Sequence, residues 1–151
     1  MNRLSRNPGL VAALALLSGC VSLKTPDGYA ERSRTGEYEY QAISTDASVI
    51  AVAKYDNEDE DKGTLAYWAE AARKQLVLSR GYTFEEQGEF HCSRGPGRWM
   101  RFARKYRGTD YLYLLGLVVD GDEIYALEAG GEKAVFNKDV PRVLEAFATL
   151  N

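Results

Sequence analysis

The chain is poor in the residues that nucleophilic and metal chemistry most often use. It has one histidine, His91, and two cysteines, Cys20 and Cys92, in 151 residues. A zinc site needs several convergent nitrogen and sulfur ligands, which one histidine beside one cysteine does not supply. A Cys–His dyad is disfavoured too, because neighbours on an extended strand point to opposite faces. Phosphate-binding glycine loops are missing: "GLVVDGD" and "EAGGEK" match neither G-x-x-x-x-G-K-[ST] nor G-x-G-x-x-G, and Gly130-Gly131 reads as a turn. Excess positive charge is absent, the formal net charge being −3, so the basic surface that nucleic-acid binding demands is not expected. No apolar run approaches the roughly 20 residues of a membrane-crossing helix. These absences point to a protein with no cofactor, no metal and no catalytic constellation.

What is present begins at the N-terminus, "MNRLSRNPGLVAALALLSGC". Arg3 and Arg6 precede a short uncharged apolar run, Leu10 to Leu17, and small residues lead into Cys20. That is the layout of a secretory signal peptide over residues 1–19. Leu17-Ser18-Gly19-Cys20 also resembles the lipobox of bacterial lipoproteins. The resemblance implies a diacylglycerol on the Cys20 sulfur, cleavage just before it and a third acyl chain on the new amine. Several chains supply the multiple anchors that stable attachment requires. Val21 is not the aspartate that holds such proteins at an inner membrane, so the resemblance favours the periplasmic side of an outer membrane.

Removing residues 1–19 leaves 132 residues and takes away two arginines and no acid, which moves the net charge from −3 to −5. Cys92 is then without an intramolecular partner and is expected to be a buried or half-buried small residue. Residues 20–36, with Pro26-Asp27-Gly28 and scattered charges, read as a lipidated N-terminus and flexible tether. Residues 37–151 read as a single domain.

Within that domain "EYEYQAIST" and "ASVIAVAKY" form a hairpin around Thr45-Asp46. The period then becomes helical from Thr64 to about Arg80, with Leu65, Trp68, Ala69, Ala72 and Leu76 on one face. Thr64 is placed to cap this helix and Gly81 to end it. "YTFEEQGEF" alternates, putting Tyr82, Phe84 and Phe90 on one face. "RWMRFARKY" alternates as well, and "YLYLLGLVV" is nearly continuously apolar, as a doubly covered strand should be. "DGD" at 120–122 turns the chain into "EIYALEA", and Asn137 or Asp139 starts a final helix through Leu150 with Pro141 in its first turn. The fold class is therefore α+β: a largely antiparallel sheet of about six strands packed with two helices.

This order resembles the PsbP/DcrB-like group of small sandwiches, through "GTLAYWAEAARKQL", "GYTFEEQGEF", "GRWMRFARKY", "YLYLLGLVVDGDEIYALEAGG" and "VPRVLEAFATL". The resemblance implies an exported accessory domain that binds proteins, and it carries over no catalytic residue.

Three surface features remain. The acidic loop Asp56, Glu58, Asp59, Glu60, Asp61 lacks the EF-hand glycine and final glutamate, whose places hold Asp61 and Tyr67; it reads as a solvated loop. Arg98, Arg101, Lys105 and Arg107 with Trp99 read as a stripe for an acidic protein partner, or as charges paired with Glu85 and Glu89 of the preceding strand. Tyr38, Tyr82, Tyr106, Tyr111, Tyr113 and Tyr125 offer an alternative function, a tyrosine-lined pocket for a small ligand.

Overall fold

The computed structural model describes residues 20–34, 36–57 and 63–151. The expected signal peptide, residues 1–19, lies outside the described residues, as do Glu58 to Asp61 of the acidic loop. Seven strands form one sheet: β1 (Tyr29–Glu31), β2 (Tyr38–Ser44), β3 (Val49–Asp56), β4 (Thr83–Cys92), β5 (Gly95–Tyr106), β6 (Thr109–Asp120) and β7 (Glu123–Glu132). Their order is β1-β2-β3-β7-β6-β5-β4, antiparallel at every pairing. Helix α1 (Leu65–Lys74) continues as a π-helical turn over Gln75–Ser79, and α2 (Lys133–Phe136) and α3 (Val140–Phe147) follow β7. The α+β sandwich is as expected, with one strand more.

The alternation of β6 and β7 divides the core in two. Leu112, Leu114, Val118, Tyr125, Leu127 and Ala129 pack toward Val143 and Phe147 of α3. Leu115, Leu117, Ile124 and Ala126 pack toward Ala69 and Leu76 on the α1 side. The molecule is thus three layers, helix, sheet, helix. As expected, Thr64 Oγ1 accepts the Tyr67 amide at 3.2 Å, and Gly81 takes φ +70° past the end of the helix, a conformation glycine adopts without strain.

Three expectations are corrected. Residues 21–31 are not a free tether. Val21 and Leu23 are buried in the α3-side core, and Tyr29–Glu31 pairs with β2. Two apolar residues flanking Ser22 are too short a pattern to signal a strand, yet they suffice to hold a segment against α3. Phe84 and Phe90 do not share a face, because the β4–β5 register shifts between Phe84 and Glu86. One extra residue on one strand reverses the alternation beyond it, so Phe84 packs on Phe102 on the α1 side and Phe90 on Phe147 on the α3 side. Gly130-Gly131 is the end of β7 rather than a turn, and a Cβ on Gly131 would come within 2.5 Å of Ser48 Oγ.

Candidate binding cleft

Helix α1 lies across β5 and β6, which leaves the same face of β2, β3 and much of β7 uncovered. Val49 and Tyr55 of β3 are accordingly exposed there, at 40 % and 43 %. Between α1 and the sheet opens a cleft of about 410 Å³, within the range of small-molecule sites. Trp68, Ala72 and Leu76 form its helical wall, and Leu115, Leu117, Ile124 and Ala126 its apolar floor. The π-helical turn matters here, since such wide turns re-aim side chains and often occur beside functional sites. It places Gln75, Leu76 and, just beyond, Arg80 along the cleft.

One carboxyl sits in this floor. Glu128 follows Ile124 and Ala126 at period two on β7, so the pleat turns it into the cleft, where it is half-buried. Tyr113 of β6 lines the cleft beside it, close enough for each group to shift the other's titration. Burial holds the Glu128 carboxyl above its ordinary value, the Glu37 charge adds to this, and the Tyr113 hydroxyl and Arg80 oppose it. Burial, then the Glu128 charge, push the Tyr113 phenol up. Tyr113 also joins two shallower depressions to the cleft. One runs past Tyr38, Val49 and Ala51, the other past Tyr82, Tyr106 and Tyr111.

The structure therefore gathers Tyr38, Tyr82, Tyr106, Tyr111 and Tyr113 of the expected tyrosine pocket on one face of the sheet. Tyr125 is on the other face, 1 % exposed, with its hydroxyl donating to Glu123 and the Arg94 guanidinium 4.4 Å from its ring centre. Arg104 lies over both Tyr82 and Tyr106, at 5.4 and 5.9 Å.

Sequence reasoning missed Glu128, Arg80 and Asn57. Glu128 had a signal: it is a charge on an otherwise apolar alternate of a strand. Asn57 is 2 % exposed and has none, because its role is set by tertiary contacts. Its Oδ1 accepts from Trp68 Nε1 at 3.0 Å and from the Gly63 amide at 3.1 Å, and its backbone amide donates to the Asp122 carbonyl at 2.7 Å. One side chain thereby fixes the tryptophan at the cleft mouth and ties the two ends of the acidic loop together. A Cβ on Gly63 would stand 2.3 Å from the indole nitrogen, so the position has no room for a side chain.

The Trp99 stripe is arranged differently from its sequence pattern. Arg98 shares the α1-side face with Met100 and Phe102, whereas Trp99, Arg101 and Lys105 point to the α3 side. Arg101 pairs with Glu85 and Glu86 at 2.8 Å each, and Arg98 with Glu89 at 3.9 Å. Lys105 and Arg107 are exposed at the far end of β5. The half-buried Trp99 ring lies over its cross-strand neighbour Gly88, whose Cβ would be 2.7 Å from it. Phe90 covers Gly97 in the same way two register pairs on. Aromatic rings packed over strand glycines make good the missing side chain.

His91 is exposed and Cys92 is half-buried against the α3-side core, on opposite faces of β4. No group of three or more histidine, cysteine, aspartate and glutamate side chains suited to a metal ion occurs among the described residues. Cys20 is exposed at the start of the described chain.

The layers and strand order define a PsbP-like fold. By sequence the chain matches no family model and no curated protein. By structure it is similar to LpqN, a Mycobacterium tuberculosis protein involved in cell envelope biogenesis, with a TM-score of 0.64 and 10 % identity over 87 % of this chain and 83 % of that one. It is similar to the cyanobacterial PsbP of Synechocystis as well, with a TM-score of 0.59 and 8 % identity over 87 % and 86 %. A Pseudomonas aeruginosa protein of unknown function follows at 0.53 and 13 %, over 88 % and 97 %. At these identities the likeness is one of fold.

Proposed function

We propose that the protein is an exported cell-envelope lipoprotein, acylated on Cys20, whose domain is a non-catalytic binding module with the α1-side cleft as its site. Export and acylation rest on the Arg3–Leu17 signal pattern and the Leu17-Ser18-Gly19-Cys20 lipobox; with Val21 next, the anchor belongs at the outer membrane, facing the periplasm. The single observation that carries the binding role is Glu128 with Tyr113 on the apolar floor of the cleft. Burying a carboxyl among Leu115, Ile124 and Ala126 costs stability, and a ligand bearing a hydrogen-bond donor offsets that cost. The ligand class is a small amphiphile, with an apolar body against Trp68 and Leu117 and an amine or hydroxyl at Glu128.

The Trp99 surface is the weaker place for a protein partner. Its arginines already face carboxylates, and its indole already covers Gly88.

A fluorescent amphiphilic amine, dansylcadaverine, tests the site by titration followed through its emission and that of Trp68. Ala71→Phe fills the cleft from the half-buried helical side and abolishes binding. Glu128→Gln weakens binding about tenfold, the size of a lost charge-assisted hydrogen bond. Equal binding by wild type and both variants sinks the assignment. Membrane fractionation of Cys20→Ala tests the anchor separately, since that chain leaves the membrane pellet if acylation holds it there.

A further inference from the structure

Cys20 is exposed and the next residue is not: Val21 and Leu23 are each 6 % exposed. Between them Ser22 exchanges two backbone hydrogen bonds with Asn151, its amide donating at 3.3 Å and its carbonyl accepting at 3.1 Å. The Lys24 amide donates to Thr149 Oγ1 at 2.8 Å. The C-terminal residues are fixed in turn, Ser93 Oγ donating to the Leu150 carbonyl at 2.8 Å. No free chain separates Cys20 from the body of the domain. A sixteen-residue tether would reach about 55 Å at roughly 3.5 Å per residue, whereas here the reach is that of one residue.

The same contacts say which end of the molecule Cys20 marks. From Val21 the segment runs antiparallel to α3. It passes Asp27, whose carbonyl accepts from Arg142 Nη1 at 2.9 Å, and reaches Tyr29, whose hydroxyl donates to Asp139 at 3.1 Å. Cys20 therefore lies at the end that carries Asn151, the β4–β5 turn at Ser93-Arg94 and the β6–β7 turn at Gly121-Asp122. The β2–β3 turn around Asp46 and the β5–β6 turn at Arg107-Gly108 lie at the other end. The ten residues of β7 set the ends about 30 Å apart at roughly 3.3 Å per residue.

We propose that the acylated protein sits flush on a lipid bilayer in one orientation, with Asn151 and the Ser93 turn at the headgroups and the Asp46 and Arg107 turns facing away. This rests on the anchoring reading above. The acyl chains are the holding force. Charge is not, because the membrane-side end carries Asp56, Asp120 and Asp122, and its Arg94 is already paired with Asp120 at 3.5 Å. The cleft runs between the two ends, so its Asp56–Trp68 mouth lies nearer the bilayer than its Tyr106–Tyr111 extension.

The test uses full-length protein purified from membranes and placed in vesicles of phosphatidylethanolamine and phosphatidylglycerol containing a headgroup spin-labelled lipid. A thiol-reactive fluorophore is attached at Asn151→Cys or at Asp46→Cys, each with Cys92→Ala. Mass spectrometry of the N-terminal peptide establishes the acyl chains. Quenching is expected to be at least about threefold stronger at residue 151 than at residue 46. Twelve Gly/Ser residues inserted between Cys20 and Val21 should bring that ratio close to one. Equal quenching at the two sites in an acylated chain overturns the orientation and leaves the anchor standing. A peptide without acyl chains overturns both.

Discussion

At the scale of single residues, the informative positions are those where chemistry and surroundings disagree. Glu128 is the clearest. Its folded-state carboxyl is held above the ordinary 4.5, so the folded protein takes up a proton more readily than the unfolded chain. The sign follows from linkage: this group favours folding below pH 4.5, and the contribution is lost as pH rises through the raised value. Glu128→Gln keeps an uncharged side chain at every pH. Its melting temperature should exceed that of the wild type at pH 7, and the two should converge at acid pH in a thermal scan. The glycines under aromatic rings give a second residue-scale prediction. Gly116 faces Phe147, with a Cβ at 2.8 Å, as Gly88 faces Trp99. Gly88→Val should destabilise by about 1–3 kcal/mol, the usual cost of overpacking, measured by urea unfolding.

At the scale of elements, the N-terminal segment is a working part of the fold. Leu23→Ala should cost about 2–4 kcal/mol, as for a buried leucine that leaves a cavity, where a free tether would give no change in the urea midpoint. Tyr29 joins this segment to α3, and burial together with the Asp139 carboxylate pushes its phenol up to about 12. A phenol with a raised folded value stabilises the protein below pH 10 and loses that contribution as pH rises toward 12. Alkaline unfolding of Tyr29→Phe should therefore be less steep over that window, followed by circular dichroism. The sequence announces some elements and hides others for physical reasons. Helix α1 shows its apolar stripe, its threonine cap and its terminal glycine, all local signals. Strand β6 shows continuous apolarity because both of its faces are covered. The β4 bulge has no local signal: letters at period two put Phe84 with Phe90, and only the pairing with β5 reveals the extra residue that separates them. The packing of Val21 and Leu23 depends on a groove made by residues more than a hundred positions away, which no window of sequence contains.

At the scale of the whole molecule, the sheet has two edges, and they are protected differently. Strand β1 is only three residues long, a poor template for pairing with another chain. Strand β4 is ten residues long and carries Glu85, Glu86 and Glu89, a charged edge of the kind that discourages strand addition. Replacing Glu86 and Glu89 with isoleucine should drive self-association at tens of micromolar, seen as a rise in light scattering at unchanged helix and strand content. The cleft, by contrast, was legible only in part. The tyrosines that surround it stood out as a class, but the carboxyl among them is a single letter whose meaning depends on α1 leaving that half of the face uncovered.

Asn57 has a further consequence for how the molecule can change. By tying Gly63, Trp68 and Gly121 to one amide side chain, it fixes the tryptophan and the Gly121 turn through contacts that lie outside the stretch between residues 57 and 63. That stretch is then a cassette: its length and charge can drift, or a foreign epitope can be spliced into it, while the tryptophan stays where it is. An affinity tag inserted between Asp59 and Glu60 should leave amine binding and melting temperature as they were. The same tag in a chain carrying Asn57→Ala should loosen both.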